Sequence, residues 1–586
     1  MKHIISDSTE KLLPKFFEKT TLFFDSFDSG RSYTYDAPSP CDLRLSVCDG
    51  PDKSLVGYEH TGISGDGVLK ISGHPEKEPT RFEVVIADGQ NITVSENSTL
   101  EYYIFPSRAG ENYDYNYSQS FFSVDLYLSD GSRLSDKGIC DGNGVHADPS
   151  SMGKSKRLYV CQWNKISVPL GTLAGRTITR TVIAYDGPPK SSDFVSFFDD
   201  ISIYDRKPTE RTRLCHYINI LRGTNDSSSF SRGLTAPAVL LPHGFNMYGP
   251  ITNHASDKHY DYLSRRFDSI GISHEPSIWI GDRGTWQFMI NTSRLAGDGK
   301  GFATADMTNI FSHENELAFA HYYSVAFDEK GGDAADSMIE ISPTDHGLIA
   351  MLSFGKSAAH HSVIFDCQNG PGGIAFDKDG SFTAFSDHKN NRSKTVYIYG
   401  TFSEKPISTA VCGKNAIASF SADKIYMTFA TSYISYGQAK KNHDLELRGR
   451  TFESICADAA DRWDGKLSCI DNIKGAAERD LENIYSGLYC LFKYPNSTAE
   501  NIGTDKAPVY VYRSPYTDRV EEGEMMINNG FWDTYRTCWP AYSLLCPQDM
   551  PRLLNGFLKH YDDNGLIPRW SAPGGVNCMV GTSSDI

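Results

Sequence analysis

The sequence predicts a multidomain chain in which β-rich domains precede a helical one. At 586 residues the chain is long enough for several domains, each with its own core. Short apolar runs separated by Asp-Gly pairs occupy the first part, and this pattern is typical of an antiparallel sandwich. From about residue 456 onward, apolar residues recur at helical spacing instead.

Composition and charge restrict the kinds of partner. The chain is 39% hydrophobic and 22% charged, which is ordinary for a soluble globular protein. A net charge of −16 argues against nucleic acid, and against an anionic membrane, as the main partner. It fits a neutral substrate or a cationic cofactor. The sequence contains no run of about 18 apolar residues, so we expect no membrane span.

The N-terminus and the cysteines predict a cytoplasmic protein. Residues 1–5 are followed at once by Ser, Asp and Glu, so no secretory hydrophobic region is visible. Secretion stays open if the N-terminus given is incomplete. Thirteen cysteines are scattered singly from Cys41 to Cys578, without CxxC pairs. This pattern fits reduced, mostly buried thiols better than a disulfide framework or a zinc site.

Residues 1–206 are predicted to form a β jelly roll similar to carbohydrate-binding domains. The predicted strands contain Phe82–Ile86, Thr99–Ile104, Phe122–Leu128 and Phe197–Ile203, and the predicted turns are Asp66-Gly67, Asp88-Gly89 and Asp130-Gly131. An accessory domain without any ligand is the alternative.

Residues 212–455 again favour strands, with many aromatic residues and single histidines, whereas residues 456–586 favour helices. We find no repeat of solenoid or propeller period. A β half followed by a helical half predicts a ligand site in the crevice between the two.

The most informative stretch is Phe531–Asp585. It opens with Trp532, Asp533 and Arg536, whose spacing places a carboxylate and a guanidinium on one helix face beside aromatic rings. A sugar has hydroxyls at its edge and C–H groups on its face, so it suits such a surface. A helix is predicted from Leu553 to Tyr561, with Asn564-Gly565 as its end.

Three segments of the second β domain carry polar and aromatic clusters. They are Pro242–Pro250 with His243 and Asn246, Ser273–Arg283 with His274, Glu275, Trp279 and Asp282, and the weaker Pro343–Gly347. Each histidine has an alternative reading as a hydrogen-bonded loop or core residue. Asp282-Arg283 has an alternative reading as a structural ion pair.

The chain from about 212 to 586 resembles the family 92 glycoside hydrolases, which are calcium-dependent exo-α-mannosidases. The resemblance rests on an ordered set of motifs: Ser273–Pro276, Trp279–Asp282, His321–Tyr323, Pro343–His346, Phe531–Arg536, Gly565–Trp570 and Cys578–Gly581. It implies a β-supersandwich over 212–455, the start of an (α/α)6 barrel over 456–586, and an active site at their junction. Residues 1–206 lie outside the resemblance.

The resemblance also implies an inverting mechanism. One carboxylic acid protonates the leaving oxygen and a carboxylate activates water, the two standing roughly 6.5–9.5 Å apart. Ca²⁺ would bind vicinal hydroxyls of the mannose and help to distort its ring. The calcium ligands themselves are not predicted.

The family's acid position departs from the pattern. That acid is a Glu three residues before the Cys-Met-Val-Gly run, where this chain has Gly575. An alkoxide leaving group needs a proton, whereas phosphate does not. The departure therefore favours a mannosyl phosphodiester such as mannose-α-1-phospho-6-mannose over a plain α-mannoside. A pseudo-enzyme, or an acid supplied from elsewhere such as Glu275, stays open.

The family's catalytic base is expected beyond Ile586, and we interpret Asp585 as structural. We therefore expect a truncated enzyme, and the alternative is a non-catalytic carbohydrate-binding protein or an inactive fragment. As hypotheses, we expect Trp532, Asp533 and Arg536 to contact the sugar, with Asn577 facing the leaving group. From the β side we expect contacts from His274, Glu275, Trp279 and Asp282, with His243 and Asn246 at the rim.

Overall fold

The computed structural model divides the described chain into two compact units. It describes residues 9–38, 41–55, 58–75, 80–109, 115–190, 192–226, 235–255, 259–273, 286–293, 302–329, 332–367, 371–387, 395–572, 574–581 and 583–585. The first unit is Phe16–Glu210, and the second contains residues 9–15 and the described chain from Arg211 onward. Residues 9–15 therefore belong with the second unit, although the sequence analysis assigned them to the first domain.

The first unit contains two antiparallel sheets. Its strands are β1 (Thr20–Asp25), β2 (Thr34–Asp36), β3 (Cys41–Cys48), β4 (Val68–Pro75), β5 (Arg81–Thr93), β6 (Ser98–Ser107), β7 (Phe122–Leu128), β8 (Asn164–Pro169), β9 (Thr177–Asp186) and β10 (Phe194–Asp205), and its helix is α1 (Pro149–Ser155). One sheet has the order β3-β4-β10-β6-β8, with β1 also paired to β10, and the other has the order β2-β5-β9-β7. The four predicted strands are confirmed, within β5, β6, β7 and β10.

Alternating side chains hold these sheets together. In β5 the residues Phe82, Val84 and Ile86 are buried, and their aromatic and aliphatic groups belong to the same cluster as Leu69 and Leu100 of the other sheet. The first unit is therefore a two-layer β-sandwich. The jelly-roll connection within it stays a prediction.

The pair Asp88-Gly89 does not form the predicted turn. It lies inside β5, where the register against β9 shifts between Asp88 and Ile92. Gly89 has a φ of +67°, a conformation that glycine adopts without a steric penalty. An Asp-Gly pair therefore marks a β-bulge here rather than a hairpin.

The second unit begins with two further antiparallel sheets. Their strands are β11 (Met247–Ile251), β12 (Ser269–Ser273), β13 (Trp286–Asn291), β14 (Glu316–Ala318), β15 (Tyr323–Ala326), β16 (Met338–Pro343), β17 (Gly347–Ser353), β18 (His361–Cys367), β19 (Gly372–Phe376), β20 (Phe382–Ser386), β21 (Val396–Phe402), β22 (Ser408–Cys412), β23 (Asn415–Phe420) and β24 (Lys424–Ser432). The six-stranded sheet has the order β11-β12-β13-β18-β23-β22, and the eight-stranded sheet has the order β14-β15-β16-β17-β24-β21-β20-β19. The ring of Trp286 on the first lies 4.8 Å from that of Phe429 on the second, so the sheets share one core.

Helices and short strands complete the second unit. The helices are α2 (Tyr436–Glu446), α3 (Phe452–Leu467), α4 (Glu478–Phe492), α5 (Phe531–Thr534), α6 (Cys538–Leu545) and α7 (Met550–Asn564). The strands are β25 (Asn496–Ser497), β26 (Glu500–Asn501), β27 (Tyr510–Arg513), β28 (Val520–Glu522), β29 (Met526–Ile527), β30 (Asn529–Gly530), β31 (Trp570–Ser571) and β32 (Gly575–Val576). This order confirms a β part followed by a helical part. Closure into a barrel stays a prediction.

Two buried aromatic residues join the helical part to the sandwich. The Trp463 indole of α3 is fully buried and donates to the Leu240 carbonyl at 2.7 Å. Tyr489 of α4 donates to the Ala238 carbonyl at 2.8 Å, and its ring lies 5.5 Å from that of Trp463. Because each polar tip has an acceptor, both rings are buried without an unpaired donor.

The helix predicted around residues 553–561 is confirmed as α7. It ends where predicted, because Gly565 adopts a φ of +74° and caps the helix. Leu553 and Phe557 face the core, whereas Leu554, Leu558 and Tyr561 are about half exposed. Helix α7 therefore carries apolar side chains over a wider face than the part that the described chain buries.

Helix α2 lies within the segment that we assigned to strands. Its buried face consists of Gln438, Ala439, Asn442 and His443, so it shows no apolar periodicity. Ser435 caps it by accepting the Gln438 amide at 3.1 Å. Hydrophobic spacing could not predict this helix, because polar residues form its buried face.

The thirteen cysteines are thiols rather than disulfides. Five of them are buried rather than most of them, namely Cys161, Cys215, Cys367, Cys456 and Cys546. Over the described ranges, none of the helices combines the length and the apolar character needed to cross a membrane.

Candidate functional site

A small three-stranded sheet brings together two segments that are distant in sequence. Strand β31 lies in the middle, with Trp570 paired to Gly530 on one side and to Val576 on the other. A Cβ built on Gly530 would lie 1.9 Å from the Trp570 indole, so only glycine permits this contact. The sheet therefore places the start of Phe531–Arg536 close to Gly575 and Asn577.

Trp532, Asp533 and Arg536 form an exposed surface at one edge of this sheet. Trp532 retains 40% of its exposure, and the Arg536 guanidinium lies 5.4 Å from the centre of its ring. Helix α5 ends at Thr534, so Arg536 belongs to the following turn and not to the helix face that we predicted. A flat ring, a cation and a carboxylate at one surface can contact both the face and the hydroxyls of a sugar.

Gly575 lies against the partly buried Tyr516, which is paired with the buried His560. A Cβ on Gly575 would be 3.1 Å from Tyr516 Oη and 3.3 Å from the Pro568 side chain. His560 Nε2 donates to the Met526 carbonyl at 2.7 Å, so Nδ1 is left to accept from Tyr516 Oη at 2.7 Å. Burial raises the pKa of Tyr516 and lowers the pKa of His560 to about 4.

This pair leaves Gly575 beside a poor proton donor. The Tyr516 proton is committed to His560, and the raised pKa of Tyr516 makes the hydroxyl a weaker acid than free tyrosine. Asn577 is exposed two residues further on. Sequence reasoning missed Tyr516 and His560, because neither lies in a motif and they meet only through the fold.

His243 is buried and does not lie at a rim. Its Nδ1 donates to the Pro495 carbonyl at 3.0 Å, and its backbone amide donates to the Phe492 carbonyl at 2.9 Å. Burial lowers its pKa to about 3, so the ring is neutral. His243 connects the sandwich to the end of α4.

Asn246 is also buried, at 1% exposure. Its Nδ2 donates to the His346 carbonyl at 2.9 Å and to Thr431 Oγ1 at 2.6 Å. Its Oδ1 has no hydrogen-bond partner among the residues that the structure describes. The structure therefore places Asn246 in the sandwich interior and not at the rim.

The remaining β-side residues fall on a part of the chain that the structure leaves undescribed. His274, Glu275, Trp279 and Asp282 all lie in 274–285, between β12 and β13, outside the described residues. Their assigned contacts stay predictions. Asp345, in the third cluster, accepts two hydrogen bonds from Arg462, at 2.7 and 3.3 Å, and this contact is structural.

His346, also in the third cluster, forms a buried ion pair. Its Nδ1 lies 2.5 Å from Glu446 Oε1, and its Nε2 donates to the Ala499 carbonyl at 2.8 Å. Both partners are acceptors, so both ring nitrogens carry protons. Burial alone would lower the pKa of His346, but the Glu446 carboxylate raises it to about 9.

This ion pair predicts a loss of stability at alkaline pH. Since the folded-state pKa is about 9 and the ordinary value about 6.5, the contribution is complete below about pH 6.5 and is lost as the pH rises to 9. We expect the unfolding free energy of the second unit to fall by on the order of 2–3 kcal/mol over this range. The measurement is urea unfolding at several pH values, with His346→Gln as the comparison. An equal fall in the variant would show that His346 is not the cause.

A cavity of about 620 Å³ lies on the outer side of the eight-stranded sheet, beneath α2 and the start of α3. Its lining includes Tyr399, Lys440, His443 and Arg450. The lining includes none of the predicted site residues. The candidate site therefore stays at the three-stranded sheet.

The described residues do not fit the expected calcium ion. Ca²⁺ takes six to eight oxygen ligands. Among the described His, Cys, Asp and Glu side chains, the group whose ligand atoms lie within 4.8 Å of one another is Cys215, His216 and His321. Sulfur and imidazole nitrogen suit softer ions than calcium, and Asn246 Oδ1 is a single unpaired oxygen.

Comparison with protein families gives two adjoining matches. Residues 217–448 match the glycosyl hydrolase family 92 N-terminal domain, and residues 438–586 match the glycosyl hydrolase family 92 catalytic domain. The first unit lies outside both matches. A search of curated proteins gives no match.

Solved structures agree with these matches. A family GH92 inverting mannosidase from Bacteroides thetaiotaomicron VPI-5482 is 27% identical, with a TM-score of 0.58, and the match covers 64% of this chain and 52% of that one. A GH92 α-mannosidase from Bacteroides thetaiotaomicron, solved with mannoimidazole, is 20% identical, with a TM-score of 0.55 and coverage of 64% and 52%. At that identity the second shows the fold alone. The chain spans about half the length of these structures.

Proposed function

The chain belongs to glycosyl hydrolase family 92, and from this membership we propose that the protein removes terminal α-linked mannose by an inverting mechanism. The observation that carries the proposal is the continuous match of both family domains through residues 217–586. The 27% identity to a GH92 inverting mannosidase supports it. Because the chain spans about half of that structure, the activity is proposed for the whole protein.

We propose that mannose binds over the exposed Trp532 surface. Trp532 would stack on the face of the sugar, while Asp533 and Arg536 would hydrogen-bond to its hydroxyls. His274, Glu275, Trp279 and Asp282 are proposed as contacts from the β side. The burial of His243 and Asn246 supports a positioning role for both rather than direct contact with the sugar.

We propose a mannosyl phosphodiester as the preferred substrate. Water attacks the anomeric carbon and gives up a proton to the general base while the bond from that carbon to the phosphate oxygen breaks. The phosphate monoester leaves with the bonding electron pair. This leaving group needs no proton, whereas an alkoxide does. The support is Gly575 at the acid position, beside Tyr516, whose proton is directed to His560. Asn577 would donate a hydrogen bond to a phosphate oxygen.

We propose that activity requires Ca²⁺, on the basis of the family resemblance. The described residues do not form an oxygen cage, so no step of the reaction is assigned to the ion. Loss of mannose release in the chelator EGTA, with recovery on adding Ca²⁺, is the expected result. Unchanged release in EGTA would contradict this proposal.

The main experiment compares two substrates with the full-length protein. Mannose release is measured from a mannosyl phosphodiester and from an α-linked dimannoside under the same conditions. We expect a higher kcat/KM for the phosphodiester, because its leaving group needs no proton. A higher kcat/KM for the dimannoside would contradict the phosphodiester proposal and leave the α-mannosidase proposal intact.

A variant pair tests the location of the sugar site. Trp532→Ala should reduce kcat/KM for both substrates, because it removes the stacking surface. Tyr561→Ala, which removes another exposed aromatic side chain from the same unit, should not. Equal losses in the two variants would argue against binding at Trp532. Binding of mannosides without any mannose release would instead support the alternative of a carbohydrate-binding protein.

A further inference from the structure

Three buried side chains with ligand atoms converge in the second unit. Cys215 and His216 lie in the 3-10 turn Leu214–Tyr217, and His321 lies between β14 and β15. Their exposures are 0%, 2% and 0%. The Cys215 sulfur and one nitrogen of each histidine lie within 4.8 Å of one another.

The hydrogen bonds of His216 leave a lone pair on one of its ring nitrogens. His216 Nε2 lies 3.1 Å from the Leu12 carbonyl, which can only accept, so Nε2 carries the proton. Nδ1 is then an acceptor, and it is buried without a partner in the described chain. A ring N–H held by a backbone carbonyl is the usual arrangement of a histidine that ligates a metal through its other nitrogen.

His321 has both ring nitrogens buried, and neither has a hydrogen-bond partner within the described ranges. An uncompensated buried nitrogen costs free energy, because it has lost its hydrogen bonds to water. Buried polar groups that lack a protein partner are commonly bound to a water molecule or an ion.

We propose that Cys215, His216 and His321 bind a borderline-soft divalent metal ion of the zinc type. Thiolate and imidazole are the ligands that Zn²⁺ prefers, and calcium prefers oxygen. On binding, the Cys215 thiol loses its proton to solvent, and the thiolate sulfur and the two imidazole nitrogens donate their lone pairs to the ion. A fourth ligand position is left for water or an oxygen donor.

The surrounding charges permit such an ion. Arg211 and Arg213 are nearby cations. The Arg211 guanidinium is paired with Glu478 and Glu482. The Arg213 guanidinium is paired with Asp461 at 2.5 Å and with Asp464 at 2.7 Å. Asp464 also accepts the Cys215 backbone amide at 2.8 Å. These contacts compensate the positive charge and hold the turn that carries two of the ligands.

The ion would be structural and separate from the sugar site. The three ligands are enclosed, so no substrate reaches them. Through the Leu12 carbonyl, the site fastens residues 9–15 to the sandwich, where Thr9 Oγ1 also donates to Glu340 at 3.1 Å. The lack of a CxxC pair in the sequence favours reduced thiols over a zinc site. Here two ligands are adjacent, and the third is distant in sequence.

The test is metal binding by the whole chain, purified without a polyhistidine tag. The protein is incubated with Zn²⁺ or Co²⁺ and desalted, and its metal content is measured by mass spectrometry. We expect one ion per chain, and the cobalt form should show a thiolate-to-cobalt absorption band and the intense visible bands of tetrahedral coordination. Protein that retains no metal would overturn the proposal.

Variants locate the ion. Cys215→Ser should abolish the thiolate band, and His321→Gln should reduce metal retention at least tenfold. Cys367→Ser, which changes a buried thiol outside the cluster, should retain the ion. If the Cys215 and His321 variants do not fold, the wild-type cobalt spectrum still decides. Bound cobalt without a thiolate band would place the ion elsewhere and refute the assignment.

Discussion

Introducing Gly575→Glu together with Tyr516→Phe should raise hydrolysis of a plain α-mannoside by about 10²–10⁴-fold, the usual effect of a general acid. Glutamate restores a proton donor at the position where the family has its acid. The backbone of Gly575 does not require glycine, since its φ lies outside the left-handed region. The tight contacts of the new Cβ are Tyr516 Oη at 3.1 Å and Pro568 Cβ at 3.3 Å. Phenylalanine removes the first, and Pro568 must shift by a few tenths of an ångström.

The measurement is kcat/KM for an α-linked dimannoside and for a mannosyl phosphodiester in the full-length protein. Tyr516→Phe alone controls for the loss of the hydroxyl. Gly575→Gln in the Tyr516→Phe background has nearly the same shape as the glutamate variant but cannot act as an acid. Asn577→Glu offers a second place for the carboxyl group. If no glutamate variant changes the substrate ratio, the lack of an acid does not determine the leaving group.

Trp463→Ala should destabilise the second unit by about 3–5 kcal/mol, the usual cost of removing a fully buried tryptophan. Trp463 is 0% exposed, and its loss leaves a cavity beside Tyr489. It also leaves the Leu240 carbonyl without its donor, which adds a desolvation cost. Because the chain has two units, the transition of the second unit must be followed separately, by calorimetry.

The matched control for this substitution is Trp532→Ala. Trp532 is 40% exposed, whereas Trp463 is fully buried and donates to the carbonyl of the buried Leu240. The same truncation at Trp532 should therefore change stability by about 0.5 kcal/mol or less. A cost for Trp463→Ala no greater than for Trp532→Ala would mean that the helical part does not depend on this contact with the sandwich.

The sequence predicted those elements whose residues interact locally. β7 coincides with the predicted run Phe122–Leu128, and α7 ends at the predicted Gly565, because alternation and capping are properties of neighbouring residues. Helix α2 was missed because its buried positions are occupied by Gln438, Asn442 and His443.

The candidate site was predicted only in part, because its contacts are long-range. The motif around Trp532 predicted a sugar-binding helix face. The structure exposes Trp532 but places Arg536 in the turn after α5. His243 was expected at a rim, but it is hydrogen-bonded to the carbonyls of Pro495 and Phe492 and is buried. The residues next to His243 in the sequence could not predict contacts with residues so far along the chain. Tyr516 and His560 likewise become a pair only when α7 lies against the strands before it.

The central position of Trp570 has a consequence for reading mutational data. Its ring fixes the spacing to Gly530, and its backbone pairs with Val576, so one residue supports both the segment that carries Trp532 and the strand that carries Gly575. Substitutions at Trp532 and at Gly575 therefore both affect segments that pack or pair with Trp570. Their free-energy effects should be epistatic rather than additive, and a library that varies one side will be interpretable only at a constant Trp570.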